Sequence, residues 1–338
     1  MKISAFYGSL YPPGSQDTPK LSGVATTIKN SGFNTVIFSL IHIGSPVNCW
    51  TNPAGKKECQ VLGDLIYNNT DVNHVPDRIA TNGAVVMDYV GIDPTCDWAH
   101  YMTEMKTGGV EKIYLSIGGG SPVADFTTIA TDIMEYQIVA GKKEPYIPTD
   151  SDLYKNFAAL RKYLPMVDGI DLDQEEGTDQ SMIDAMIAVG NMAIIVGFKE
   201  ITITPPFDYY LDCYQAAGEA INTFASNNAG NKVNGAVSRI QLQLYSGIYT
   251  YPKCMTTWEA TAKAIGAKGG GANPILAVGA NANGKDEAAL YADFNQYSGN
   301  YGSGGFVWQY GFMASNLAQY YQAMERGLTG GSWPPASS

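Results

Sequence analysis

The sequence predicts an α/β fold, a closed (β/α)8 barrel in a single domain, from three observations. Eight short apolar runs of strand length recur along the 338 residues. Amphipathic segments with helical spacing lie between most of them, the alternation expected of repeated βα units around a parallel sheet. A cluster of acids ends the fourth run, at the strand end where such barrels carry their active sites.

Taken in order, strands are expected at 3–7, 35–40, 112–117, 169–173, 200–204, 239–245, 275–278 and 305–308. Helices are expected at 21–29, 98–106, 153–163, 182–193, 258–264 and 287–297, and a last one at 316–326 closes the series. An open doubly wound sheet usually stops at fewer strands, so the count favours closure. The segment 44–96 reads as the one long insertion and follows the second strand at the catalytic face. Its runs 65–67 and 84–87 suggest a hairpin of its own, walling one side of a groove, with Trp50 within reach of a ligand. The glycine-rich stretch 266–271 reads as a turn entering strand seven. Residues 1–328 are therefore assigned to the barrel and 329–338 to a loose tail.

Composition narrows the chemistry. At 45% hydrophobic and 16% charged the chain can bury a large core. A net charge of -11 and a pI near 4.7, with no run of lysine or arginine, make phosphate backbones poor partners, so no nucleic acid is expected. The 22 tyrosines offer faces on which neutral sugars stack, although most are accounted for as ordinary core residues. Cys49, Cys59, Cys96, Cys213 and Cys254 form no CxxC pair, and no zinc site follows. Cys49 and Cys59 share one polar loop and could pair in an oxidising compartment; nothing in the sequence forces it. His42, His74 and His100 form no HExxH or paired arrangement, so neither a metal nor another cofactor is expected. The longest apolar stretch, 187–198, is shorter than the roughly 18 residues a membrane helix needs, and no membrane partner is expected. The chain opens on a strand with neither an apolar leader nor a cleavage site, so no signal peptide is expected in it.

Strand four carries the chemistry. It runs Val167-Asp168-Gly169-Ile170-Asp171-Leu172-Asp173-Gln174-Glu175-Glu176, acidic where a buried strand should be apolar. Side chains alternate on a strand, so Asp171, Asp173 and Glu175 share the inward face while Ile170 and Leu172 face the helices. Three carboxyls on one enclosed face cannot all ionise cheaply, and the raised pKa of one makes a general acid. Glu175 lies furthest toward the open end and can best reach a leaving-group oxygen. A divalent-metal site and a solvated acidic loop are the competing readings; the alternation with aliphatic residues counts against the loop.

The spacing Asp168-x-x-Asp171-x-Asp173-x-Glu175 resembles the DxxDxDxE signature of the family-18 glycoside hydrolases. Upstream, Tyr114-Leu115-Ser116-Ile117-Gly118-Gly119-Gly120 is similar to the family's SxGG element on strand three. A dinucleotide loop would need a third glycine where Val123 stands. Gln241-Leu242-Gln243-Leu244-Tyr245 resembles the strand-six element with its tyrosine, and Phe306-Val307-Trp308-Gln309-Tyr310 the strand-eight element with its barrel-floor tryptophan. Gln174 and Glu176 depart from the pattern, which more often has an aromatic or aliphatic residue and a tyrosine there. The absence of a methionine before Tyr245 is closer to the plant-type branch.

The resemblance implies a retaining hydrolase without a protein nucleophile, in which the substrate's own 2-acetamido oxygen attacks the anomeric carbon. Glu175 would protonate the glycosidic oxygen and later activate water. Asp173 would hold the acetamide nitrogen, Asp171 would modulate Asp173, and Tyr245 would bond the acetamide oxygen. Trp308, Gln243, Tyr7 and Gly119 would contact substrate. The implied partner is an oligosaccharide or polysaccharide containing N-acetylglucosamine, first of all chitin, cut internally because the connection between strands seven and eight is short. The chitobiose core of N-glycans and an inactive, chitin-binding relative are the alternatives. A secreted monomer is expected, with a cytoplasmic location left open.

Overall fold

Eight parallel strands close into a ring in the computed structural model, which describes residues 3–8, 21–51, 54–67, 77–88, 98–120, 124–228, 236–245, 253–269, 273–298 and 304–334, with backbone alone at 3–8, 21–22, 77, 88 and 253–254. The strands are β1 (Ile3–Gly8), β2 (Thr35–Ile43), β3 (Lys112–Gly118), β4 (Gly169–Asp173), β5 (Glu200–Ile203), β6 (Val237–Leu242), β7 (Ile275–Asn281) and β8 (Gly304–Trp308). Each pairs in parallel with the next. β8 pairs back to β1, so no strand of the ring keeps an open edge.

Among the described residues one helix of nine residues or more follows each strand: α1 (Leu21–Lys29), α2 (Trp98–Thr107), α3 (Asp152–Tyr163), α4 (Gln180–Ile195), α5 (Leu211–Asn227), α6 (Lys253–Gly269), α7 (Glu287–Asn295) and α8 (Leu317–Thr329). Several starts are visible in the sequence as caps. Ser151 accepts from the Tyr154 N–H at α3, Asp179 from Ser181 and Met182 at α4, and Asp286 from Ala289 at α7. Strand alternation divides the core in two. Phe38, Leu115, Ile170, Leu172, Ile203 and Ile240 pack outward under the helices. Ile37, Tyr114, Ala277 and Phe306 form a separate cluster, with Leu40, Tyr245 and Trp308 packed against it.

Four expectations are corrected. Helix α5 is absent from the sequence reading although Cys213, Tyr214, Ala217, Ile221 and Ala225 recur at helical spacing on its buried side; the small Gly218 and polar Asn222 interrupt that apolar stripe. Close approach explains that choice: a Cβ on Gly218 would lie 2.7 Å from the Ile265 side chain of α6. Helix α6 continues through Gly266 to Gly269, where a turn was expected, since burial of Ile265 offsets the weak helix preference of glycine. Runs 65–67 and 84–87 do not pair with each other. Leu65–Tyr67 extends the end of β2, and the hairpin is Asp77–Thr81 with Ala84–Asp88, closed by Asn82-Gly83 with both φ positive. The insertion after β2 is also not alone: Glu135–Val139 and Lys142–Tyr146 form a second, solvent-exposed hairpin before α3, without the buried face that makes a strand legible.

Strand six ends at Leu242 rather than 245, and α8 extends to Thr329. The start of the expected tail is packed, with Trp333 stacked on Tyr291 at 6.1 Å; residues 335–338 lie outside the described residues. In the first insertion Cys49 faces Cys59 across a short antiparallel pair and the two form a disulfide.

Candidate active site

Two layers of acid sit on the inward face of β4. Asp171, the deeper, is fully buried and accepts hydrogen bonds from Ser116 Oγ (2.7 Å), Thr202 Oγ1, Thr204 Oγ1 (2.8 Å) and Gln241 Nε2 (3.0 Å). Loss of water raises its pKa above the usual carboxylate range, and those four bonds oppose the rise. Its donors come from β3, from β6, and from β5 with the residue just beyond it, so the carboxyl ties four neighbouring strands together.

Asp173, also buried, and Glu175, half-buried, form the upper layer. A single atom, Gln243 Nε2, lies 2.9 Å from both Asp173 Oδ1 and Glu175 Oε1 and donates to each. Burial raises the Glu175 pKa, while hydrogen bonds from Gln243 and with Asp173 pull part of it back. Enclosed side by side under one amide donor, the two carboxyls disfavour carrying two full charges, which favours a proton held on one of them.

The backbone around this pair is held from two flanks, by the glycines after β3, expected at the substrate, and by two tyrosines that the sequence reading did not single out. The Gly119 N–H donates to the Asp173 carbonyl at 2.7 Å. Gly118 and Gly119 both have φ above +100°, and a Cβ on Gly118 would lie 2.3 Å from that carbonyl oxygen, one on Gly119 2.4 Å from Leu40. Gly119 is thus buried behind the site, and it is Gly120, 3.2 Å from Glu175 Oε2 when given a Cβ, that borders the acid. From the other flank Tyr214, buried at the start of α5, accepts from the Gln174 N–H and donates to the Gln174 carbonyl, both at 2.8 Å. Tyr210 donates to the Glu175 carbonyl at 2.7 Å. Their only trace in the sequence is tyrosine spacing after strand five.

Glu176 points away from the pair. Its two oxygens accept from the backbone N–H groups of Phe126 (2.8 Å) and Thr127 (2.7 Å), at the start of the short helical turn Asp125–Thr128. Asp125 accepts from the Ile43 N–H (2.6 Å) and bonds His42 Nδ1 (2.8 Å), fastening the same turn to the end of β2. Asp168 lies at the opposite end of the barrel, accepting from Lys106 and the Ile113 N–H, far along the strand from the pair.

Around the mouth, Tyr245 meets Phe306 edge to face at 6.2 Å and Trp308 packs on the same inner cluster. Tyr7 is registered between Trp308 and Ile37 in the β1 backbone. The structure therefore brings Asp173, Glu175 and Gln243 into contact, places Asp171 beneath them and Tyr245 and Trp308 on the inner cluster, and puts Gly119 in the supporting wall. Trp50 lies in the disulfide-closed pair of the insertion, partly buried. Among the described residues no group of three His, Cys, Asp or Glu side chains is placed to hold a metal ion, and no helix is long and apolar enough to cross a membrane.

The same architecture occurs in solved structures. A GH18 chitinase from Pseudoalteromonas aurantia superposes with a TM-score of 0.55 at 12% identity, over 97% of this chain and 100% of that one. A chitinase from Bacteroides thetaiotaomicron gives 0.54 at 12% identity, over 100% of both. The chain has the fold of these chitinases. At this identity the likeness is one of architecture, and the acids of β4 must carry the chemistry by themselves. No protein-family model matches the sequence, and no curated protein matches it.

Proposed function

We propose that the chain is a family-18 glycoside hydrolase that cleaves β-1,4-linked N-acetylglucosamine polymers internally and with retention. The observation that carries the reading is the Asp173–Gln243–Glu175 triangle. One amide nitrogen at 2.9 Å from both carboxyls means the bonded oxygens are no more than twice that distance apart. An inverting pair needs carboxyls about 6.5–9.5 Å apart to seat a water between them.

In this reading the proton shared by the pair sits on Glu175 and passes to the glycosidic oxygen as the bond to the anomeric carbon breaks. The substrate's acetamide oxygen forms the new bond to that carbon, and Asp173 accepts a hydrogen bond from the acetamide nitrogen as positive charge develops there. Glu175, now a carboxylate, takes a proton from water as its oxygen adds to the same carbon, and the acetamide is released. Two inversions leave the product as the β-anomer. Tyr245 steers the acetamide oxygen, and Trp308 gives the distorted sugar an apolar floor.

The test is a digest of chitohexaose beside a high-mannose N-glycoprotein, comparing wild type with Glu175→Gln. The amide keeps the shape and one acceptor but has no proton to transfer, so turnover should fall by about a hundredfold or more while binding is kept. Chitohexaose cleavage by wild type alone supports the reading. Glycan release without it points to an endo-β-N-acetylglucosaminidase, and binding without cleavage by wild type points to a lectin.

A further inference from the structure

Helix α5 is entered through an aromatic ladder. After Pro205 and Pro206 the chain makes one tight turn, Asp208–Tyr210, that lifts Tyr209 to the barrel rim. At 61% exposed, Tyr209 is the most open aromatic ring among the described residues. Phe207 stacks on it at 5.3 Å and 15°, and Tyr210 packs at 4.9 Å and 38°. Tyr210 in turn approaches Tyr214 at 6.2 Å and donates its hydroxyl to the Glu175 carbonyl. A solvent-facing ring ordinarily keeps its rotamer freedom. This one is braced by its neighbours, so a flat apolar surface laid on its open side would cost little side-chain entropy.

Its place in the ring sets which surface that is. β4 and β8 stand opposite each other among the eight strands. A sugar lying on Trp308 at β8 with its scissile oxygen at Glu175 leaves its next residue beside the end of β4, where the bond from Tyr210 to the Glu175 carbonyl fastens the β5–α5 loop. We infer that Tyr209, backed by Phe207, is a stacking platform for the sugar on the leaving side of the cleaved bond, binding the C–H face of a β-linked pyranose. This rests on the hydrolase reading above.

Steady-state kinetics on two substrates test it: chitohexaose, which has sugars beyond the cleaved bond, and β-chitobiosyl fluoride, whose leaving group is a single atom that reaches no platform. Tyr209→Ala should raise KM for chitohexaose about three- to tenfold, the range of one aromatic stacking contact. It should leave kcat/KM for the fluoride, which has nothing to lay on the platform, within about twofold of wild type, and Tyr209→Trp should restore the chitohexaose KM. An unchanged chitohexaose KM in Tyr209→Ala overturns the platform while the hydrolase reading stands. Equal losses on both substrates also overturn it, because Tyr209 would then act through Tyr210 on the acid and not on a sugar. A wild type inactive on both substrates removes the hydrolase reading and the platform with it.

Discussion

Replacing Glu176 by alanine separates the acid that does chemistry from the acid that holds it in place. Glu176 accepts two backbone hydrogen bonds, from Phe126 and Thr127, and among the described residues no other side chain caps that turn. The Thr127 amide is exposed and can turn to water, whereas the Phe126 side chain is fully buried beside its own amide. One bond to an ionised acceptor is worth about 1.5–3 kcal/mol, and the second adds little once water replaces it, so a loss of about 2–3 kcal/mol is expected. At about 2.1 cal/mol/K per residue, 338 residues unfold with roughly 0.7 kcal/mol/K, and Tm should drop by about 3–4 °C. Because Glu175 is the adjacent residue, loosening this clamp displaces the proposed proton donor. We expect kcat on chitohexaose to fall about ten- to a hundredfold with KM little changed. Thermal melts and initial rates on Glu176→Ala and Glu176→Gln provide the check, the amide retaining one acceptor and giving an intermediate result. A lowered Tm with unaltered kcat would refute the link between the clamp and the donor; no change in either would refute the clamp.

Other consequences follow from the same geometry. Glu175 must be protonated to donate, and burial keeps it protonated to higher pH than an ordinary glutamate, so kcat/KM should decline as pH rises through its raised pKa. Gln243→Leu removes a donor that favours the carboxylate, and the declining limb of the pH profile should move upward; a downward move contradicts the assignment. Gln174 is fully buried with neither amide atom bonded to a protein group among the described residues, so Gln174→Leu should raise Tm, and a lower Tm would show that the amide is satisfied in solution. Gly118→Ala drives a methyl to 2.3 Å from the Asp173 carbonyl at a positive φ, and should reduce both Tm and kcat by more than Glu176→Ala does; wild-type values in both would show that β3 and β4 can part without cost.

The eight-strand count, the inward acids of β4 and the order of the motifs were legible in the sequence, because they depend on local alternation and on side-chain types that a buried strand does not otherwise tolerate. Asn82-Gly83 is a strong hairpin signal that the reading of the apolar runs left unused, and it places that hairpin correctly. Helix α5 could also have been read, since Cys213, Tyr214, Ala217, Ile221 and Ala225 keep a helical period; what was not legible is the close approach of Gly218 to α6. Nor were the roles of Thr202 and Thr204 beneath Asp171, of Tyr210 and Tyr214 behind the acid, or of Glu176 as a clamp across two loops. The sequence by itself determined which strand carries the inward acids, because periodicity sorts side chains to one face. Only the tertiary structure decided that a single Gln243 nitrogen joins Asp173 to Glu175, since residues about seventy positions apart meet only when the ring of strands closes.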